Sequence, residues 1–348
     1  MKLPVTGLLV AFIFIACNPN EKNAETTVKS EENTTKKQVE NSTTSTESIS
    51  LLKLNQAIVK DANNQDLYLE RAKLHESLGN DQAAFEDINR AFLIDSTYLE
   101  TILAQADFVG KRGQLELGMN ILNKGEALYP EAANLYTKKA ELFLIGRNFS
   151  EALKHADFAV KFDPYLAHAY YLKGFCFLEM GDTAKAISSH QTAVEQDPEY
   201  LESYLELGYI FSLKDDPLSL AYYQNALEVE PDNKRVLYSK GMYEQEHELY
   251  NEALESYHKA IAVDSSFKEA YFNLGFVHMF YLELYSESLK YFSKAMEIDP
   301  NYYQAFYNRG YAFELMGDIK NAETDYRQAL KIKSDYDLAA NGLSRVQE

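Results

Sequence analysis

Residues Ala167–Tyr200 read AHAYYLKGFCFLEMGDTAKAISSHQTAVEQDPEY. Tyr170, Lys173, Gly174 and Phe177 fall at i, i+3, i+4 and i+7, which puts them on one face of a first helix. The stem of Lys173 can lie along that face while its ammonium reaches water. Gly181-Asp182 breaks this helix, and Ala186, His190 and Ala193 mark the inner face of a second. Asp197-Pro198 ends the second helix, because proline lacks the amide donor and clashes with the preceding turn.

The same grammar extends in both directions with a period of about 34 residues. A first small residue stands at Ala72, Ala106, Ala140, Gly174, Gly208, Gly241, Gly275 and Gly310. About nineteen positions later comes a second, at Ala91, Gly125, Ala159, Ala193, Ala226, Ala260, Ala295 and Ala329. Five further on, Ser96, Pro130, Pro164, Pro198, Pro231, Ser265, Pro300 or Ser334 stops the helix. Repetition at this period means stacked helix pairs, and small residues are needed where helices cross closely. Repeat two, with Gly118 and Gly125, is expected to have a loosened second helix. Repeat five is one residue short near Asp215-Asp216-Pro217 and repeat seven one residue long near Phe280-Tyr281-Leu282, which marks candidate changes of pitch.

Two further features complete the pattern: an aromatic four places before the small residue (Tyr68, Tyr136, Tyr170, Tyr204, Tyr271, Phe306), and Gly-Asn or Gly-Asp between helices (Gly79-Asn80, Gly181-Asp182, Gly317-Asp318). The whole resembles the tetratricopeptide repeat family. The resemblance implies an all-α, right-handed superhelical solenoid of eight helix-turn-helix units. They are expected at about 65–98, 99–132, 133–166, 167–200, 201–233, 234–267, 268–302 and 303–336. Ser50, Leu54, Ala57 and Ala62 suit the second helix of a preceding half-repeat. Ala339, Leu343 and Val346 suit one face of a capping helix over 337–347, so the solenoid is expected to fill 49–348.

The amino terminus carries a different signal. Lys2 precedes an apolar run from Leu8 to Ala16 that is too short to span a bilayer comfortably. A charged start, a short apolar segment and a small residue at the cut read as a signal peptide over 1–16. Phe14-Ile15-Ala16-Cys17 resembles the lipobox of bacterial lipoproteins, with Phe14 departing from the usual leucine. That resemblance implies lipidation of Cys17; a plain secretory signal with an incidental cysteine is the alternative. Residues 17–48 are rich in Asn, Thr, Ser, Glu and Lys and lack aromatics, so they read as a disordered tether. A coil of that length spans about 30 Å root-mean-square.

The formal charge of −19 argues against nucleic acid, whose phosphates an acidic array repels. It suits either solubility or attraction to basic partners. The second cysteine, Cys176, reads as a small buried hydrophobe.

In the family, the inner surface is lined by positions three before and one after the first small residue. Here these are Tyr171 and Phe175, Leu205 and Tyr209, Tyr238 and Met242, Phe272 and Phe276, and Tyr307 and Tyr311. In repeats one to three they are Leu69 and Lys73, Leu103 and Asp107, and Thr137 and Glu141, a more polar set. The rings of repeats four to eight either pack half-buried on neighbouring helices or anchor a bound helix or extended peptide. Glu179, Glu206, Glu269 and Glu314 lie nearby, so apolar anchors with Lys or Arg would suit the lining. One subfamily grips a peptide carboxylate with Lys, Asn and Arg at inner positions. Asn273 and Asn308 fall at one such place, but rings occupy the cationic places, which disfavours that mode.

No nucleophile motif, phosphate loop, His-Glu-x-x-His or paired-cysteine zinc motif occurs. Glu244-Gln245-Glu246-His247-Glu248 reads as a solvated turn rather than a metal site. Asp95-Ser96-Thr97 and Asp182-Thr183-Ala184 resemble a short O-glycosylation signal of some bacterial envelope proteins. The expectation is a non-enzymatic, cofactor-free, lipid-anchored scaffold of the bacterial envelope, at the outer membrane, that binds protein or peptide partners. A carbohydrate-binding envelope protein, with rings stacking on sugars, is the alternative.

Overall fold

The computed structural model describes residues 49–348, and all 18 helices there are α-helices with no strand among the described residues. The signal peptide, Cys17 and the tether lie outside those residues. The chain divides after Pro164 into two compact units.

The first unit holds α1 (49–60), α2 (Gln65–Ser77), α3 (Asp81–Ile94), α4 (Leu99–Lys111), α5 (Leu115–Leu128), α6 (Ala133–Ile145) and α7 (Phe149–Phe162). Leu54 and Ile58 of α1 are buried, while Ala62 lies past its end and is exposed. Ile58 joins Tyr68, Leu69, Ala72, Ile88 and Phe108 in one core cluster. Ile102, Leu103, Ala106, Leu122, Leu135 and Leu142 form a second. Each cluster draws on one helix pair and the first helix of the next, the first cluster also on α1, so every pair depends on its neighbour to cover its apolar face. The hydroxyls of Tyr68 and Tyr136 donate to the carbonyls of Ala62 and Pro130 at 3.2 and 2.6 Å, so this ring fastens the turn before its own helix.

Helix α5 runs unbroken through Gly118 and Gly125. A Cβ on Gly125 would stand 2.9 Å from both Ile102 and Leu135, so close approach, not flexibility, accounts for this glycine.

The second unit holds α8 (Ala167–Glu179), α9 (Thr183–Gln196), α10 (Leu201–Leu213), α11 (Leu218–Val229), α12 (Lys234–Glu246), α13 (Tyr250–Val263), α14 (Lys268–Phe280), α15 (Tyr285–Ile298), α16 (Tyr303–Leu315), α17 (Ile319–Ile332) and α18 (Asp337–Gln347). Here every first small residue is glycine, and a large ring of the paired second helix lies on it. A Cβ on Gly174, Gly208, Gly241 or Gly275 would come within 2.7 Å of His190, Tyr223, Tyr257 or Phe292 respectively. Gly310 meets Tyr326 in the same way at 3.1 Å. These rings are fully buried, and Phe292 contributes roughly 2–3 kcal/mol by removing its apolar area from water. Helix α18 closes the array with Ala339 and Gly342 buried, the latter against Tyr326.

Each turn between paired helices places one residue in the left-handed region. It is Gly79, Gly113, Gly181 or Gly317 in four repeats, and Arg147, Asp215, Glu248 or Glu283 in the other four. In the short repeat five, α11 starts after Pro217 and has 12 residues, where the other second helices have 14. The extra residue of repeat seven is absorbed in the turn around Tyr281, before Glu283 at φ 55°.

Candidate functional site

The two predicted rows of inner residues separate in the second unit. The row three before the glycine is committed to packing. Tyr171 lies 5.7 Å from His190 and 5.6 Å from Tyr200. Tyr238 lies 5.8 Å from Tyr257 and 5.0 Å from Phe267. Phe272 repeats this with Phe292 and Tyr302, and Tyr307 with Tyr326 and Tyr336. Each ring is thus held between the ring of its own second helix and the residue that opens the next first helix. Ring pairs of this kind contribute about 0.5–1.5 kcal/mol beyond area burial. Leu205, the non-aromatic member, is buried.

The row one after the glycine is more open. Tyr209 is 38% and Met242 37% exposed. Phe175, Phe276 and Tyr311 are half-buried. Phe276 and Tyr311 both lie against the exposed Phe280, at 4.4 and 5.9 Å. The half-buried alternative therefore describes the first row and also Phe175, Phe276 and Tyr311 of the second, and Tyr209 and Met242 are the members that present exposed surface.

The acidic residues also sort into paired and unpaired. Glu314 accepts both Arg345 donors at 2.8 and 2.9 Å and the Tyr326 hydroxyl. Burial opposes ionisation there, but Arg345 and Tyr326 hold the carboxyl below its ordinary range. Glu206 makes no such contacts. Burial pushes its carboxyl up, Arg235 opposes the shift and Glu179 adds to it. Burial and Glu206 together raise the Tyr209 hydroxyl. Residues 165–348 carry 30 acidic against 16 basic side chains, while 49–164 carry 17 against 13, so the ring-bearing unit is also the acidic one.

In the first unit the corresponding positions are neutralised internally. Lys138 bridges Asp107 at 3.0 Å and Glu141 at 2.6 Å, and Lys111 adds a second cation on Asp107. Leu69, Leu103 and Thr137 are buried and Lys73 is exposed.

Residues considered for other chemistry have local duties. Asn273 donates to the hydroxyls of Tyr238 and Tyr257, both at 3.2 Å, and Asn308 is buried. Within Glu244–Glu248, Glu244 accepts from Ser256 at 2.6 Å and pairs with Lys240, while His247 lies 2.7 Å from Asp215. Cys176 is buried. No described helix is long and apolar enough to cross a membrane.

Sequence reading placed His190 on the inner face of its helix but missed the rings Tyr223, Tyr257, Phe292 and Tyr326 of the other second helices. Their signal was present: a ring follows each glycine of repeats four to eight by 15 to 17 residues.

The fold defines a helical-repeat scaffold of the kind used in protein–protein interaction. Tetratricopeptide repeat models match 167–200, 268–302 and 303–336, and a TPR repeat model matches 249–279. Over 132 residues, 38% of this chain, it is 26% identical to Hsp70-Hsp90 organizing protein 1 of Glycine max, covering 23% of that protein. Over 195 residues, 51% of the chain, it is 22% identical to DnaJ homolog subfamily C member 3 of Mus musculus, covering 39% of that protein. The chain thus spans less than half the length of these curated relatives. Among solved structures, the APC/C hetero-tetramer Cut9-Hcn1 matches with TM-score 0.57 at 18% identity, over 82% of this chain and 56% of that one. The C-terminal part of a TPR repeat-containing protein from Cytophaga hutchinsonii matches with TM-score 0.58 at 18% identity, over 69% of this chain and 99% of that one. At that identity the likeness concerns the fold alone.

Proposed function

We propose that this chain is a lipid-anchored adaptor of a bacterial cell envelope that holds a protein or peptide partner along Phe175, Tyr209, Met242, Phe276 and Tyr311. The observation that carries the reading is the exposure of Tyr209 and Met242 on helices whose other rings are spent on packing. Solvent-facing apolar side chains repeated at each turn of a stacked array suit an extended or helical polypeptide. Similarity to a relative named as an Hsp70-Hsp90 organizing protein supports a role in holding other proteins. The Phe14–Cys17 lipobox resemblance supports anchoring, with the outer membrane as the proposed site. More than one acyl chain gives stable attachment, and the tether then keeps the repeats at high local concentration near the membrane. The role needs no catalytic step and no cofactor.

Crosslinking in cells, followed by identification of what is held, tests the reading. Tyr209→Ala with Met242→Ala is expected to abolish capture of the crosslinked protein while the thermal transition is unchanged. Retained capture overturns the groove, and crosslinks to glycan with no protein favour the sugar-binding alternative. Cys17→Ala is expected to abolish fatty-acid labelling and release the chain from membranes; unchanged labelling overturns the anchor.

A further inference from the structure

Helix α1 opens the first unit with only one of its faces covered. Leu54 and Ile58 are buried, and Ile58 packs with Tyr68, Leu69 and Ala72 of α2. At 3.6 residues per turn the opposite side carries Ile49, Leu52, Lys53, Gln56, Val59 and Lys60 within an arc of about 120°. All six are exposed, with Ile49 at 51%, Leu52 at 56% and Val59 at 85%. Val59 and Leu52 form one edge of that arc, Lys60 and Lys53 the other, and Ile49 and Gln56 lie between.

The charge of this helix also differs from that of its neighbours. Each of α2 to α18 contains at least one Asp or Glu, whereas α1 contains Lys53 and Lys60 and no acidic residue. Neither lysine is in an ion pair among the described residues. Asp61, just past the helix, accepts a hydrogen bond from Asn64 at 3.3 Å. Residues 49–164 carry 17 acidic against 13 basic side chains, so the unit around α1 holds little of the chain's acidic excess. Two uncompensated cations beside exposed aliphatic side chains suit a surface that offers negative charge and hydrocarbon together, which is a bilayer containing anionic lipid. A second copy of the same face fits less well, because it brings like charges together. Cys17 stands 32 positions before Ile49, so a lipid there delivers the chain to this helix from the bilayer.

We propose that α1 docks on the membrane surface, with Ile49, Leu52 and Val59 entering the boundary of the acyl chains and Lys53 and Lys60 reaching anionic headgroups. This rests on the anchor reading above and adds the face by which the repeats meet the bilayer. The lysine stems can lie along the apolar boundary while their ammonium groups stay among the headgroups.

A tryptophan reporter tests the proposal. The chain contains no tryptophan, so Val59→Trp places a single reporter on the exposed face. Leu93→Trp, on the exposed side of α3, is the control. Each full-length variant is reconstituted into vesicles of phosphatidylcholine alone or of phosphatidylcholine with an equal share of phosphatidylglycerol, and the chain that floats with the vesicles is read. With phosphatidylglycerol, Val59→Trp emission is expected to move to shorter wavelength and to be quenched by lipid brominated in its acyl chains, and Leu93→Trp to do neither. Lys53→Gln with Lys60→Gln is expected to lower the docked-to-free ratio on the order of tenfold. An unchanged thermal transition is expected of that variant, because both lysines are exposed. Flotation reports the anchor and emission reports the docked helix, so the two readings fail separately. Flotation that Cys17→Ala leaves unchanged overturns the anchor, and floated chain with unshifted Val59→Trp emission overturns the docking alone. Equal shifts for Leu93→Trp, equal shifts in phosphatidylcholine alone, or a shift unaffected by the lysine substitutions also overturn it. A shift that follows the protein-to-lipid ratio rather than lipid charge assigns the face to a second copy and overturns the proposal. Failure of the wild type to float overturns both readings.

Discussion

The two units solve the same helix crossing differently. In the first, Ala72, Ala106 and Ala140 face Ile88, Leu122 and Ala156; in the second, Gly174, Gly208, Gly241, Gly275 and Gly310 face His190, Tyr223, Tyr257, Phe292 and Tyr326. Removing one methyl group from the first helix makes room for a ring on the second. That ring, in turn, supports the inner ring three places before the glycine. The exchange propagates outward: the Ala-based crossings carry no ring at the inner positions and hold the charged Asp107–Lys138–Glu141 network, and the Gly-based crossings carry rings there except at Leu205 and Met242. Close packing, rather than ligand binding, thus accounts for half of the rings that the sequence places on the inner face. The first and last helix pairs nevertheless share one device. Arg71 grips buried Asp87, and Arg309 grips buried Asp325, each through two hydrogen bonds of 2.6–2.8 Å.

The largest expected break of this comparison is in pH. Burial lowers the pKa of His190 to about 4 from the ordinary 6.5, so the unfolded chain takes up a proton in that interval that the folded chain refuses. Stability is therefore full above about 6.5 and falls as pH drops toward 4, by on the order of 3 kcal/mol. His190→Phe, which copies the ring of Phe292, should remove that part of the slope between pH 7 and pH 4.5 in chemical denaturation. An unchanged slope would show that other groups carry it.

A smaller effect tests the glycine–ring exchange itself. Gly275→Ala puts a Cβ 2.7 Å from Phe292 and should cost about 1–3 kcal/mol, against the roughly 1 kcal/mol that Ala gains in a helix. In a Phe292→Leu background, which imitates Leu122 of the first unit, the same substitution should become neutral or favourable. Additive effects in this double-mutant cycle would refute the coupling.

The smallest effect lies in the turns. Glu248 holds φ 63° at the place where Gly317 holds φ 79°. Glu248→Gly should stabilise by up to about 1 kcal/mol and Gly317→Ala should destabilise by a similar amount, read as opposite shifts of the unfolding midpoint. Equal shifts of one sign would mean that the left-handed conformation is not what distinguishes these turns.

The amino-acid sequence by itself determined the helix pairs, their register and the covering helices at both ends, because small residues at a fixed period can serve only repeated close crossings. It also placed every candidate of the open row by number. The tertiary structure alone separated Tyr171, Tyr238, Phe272 and Tyr307, packed on neighbouring rings, from the exposed Tyr209 and Met242. Residues four apart share one helix face, so periodicity treats the two rows alike; which row is covered depends on the ring of the paired helix and the first residue of the next repeat. Likewise only the structure shows that Glu314 is held by Arg345 of α18 and by Tyr326.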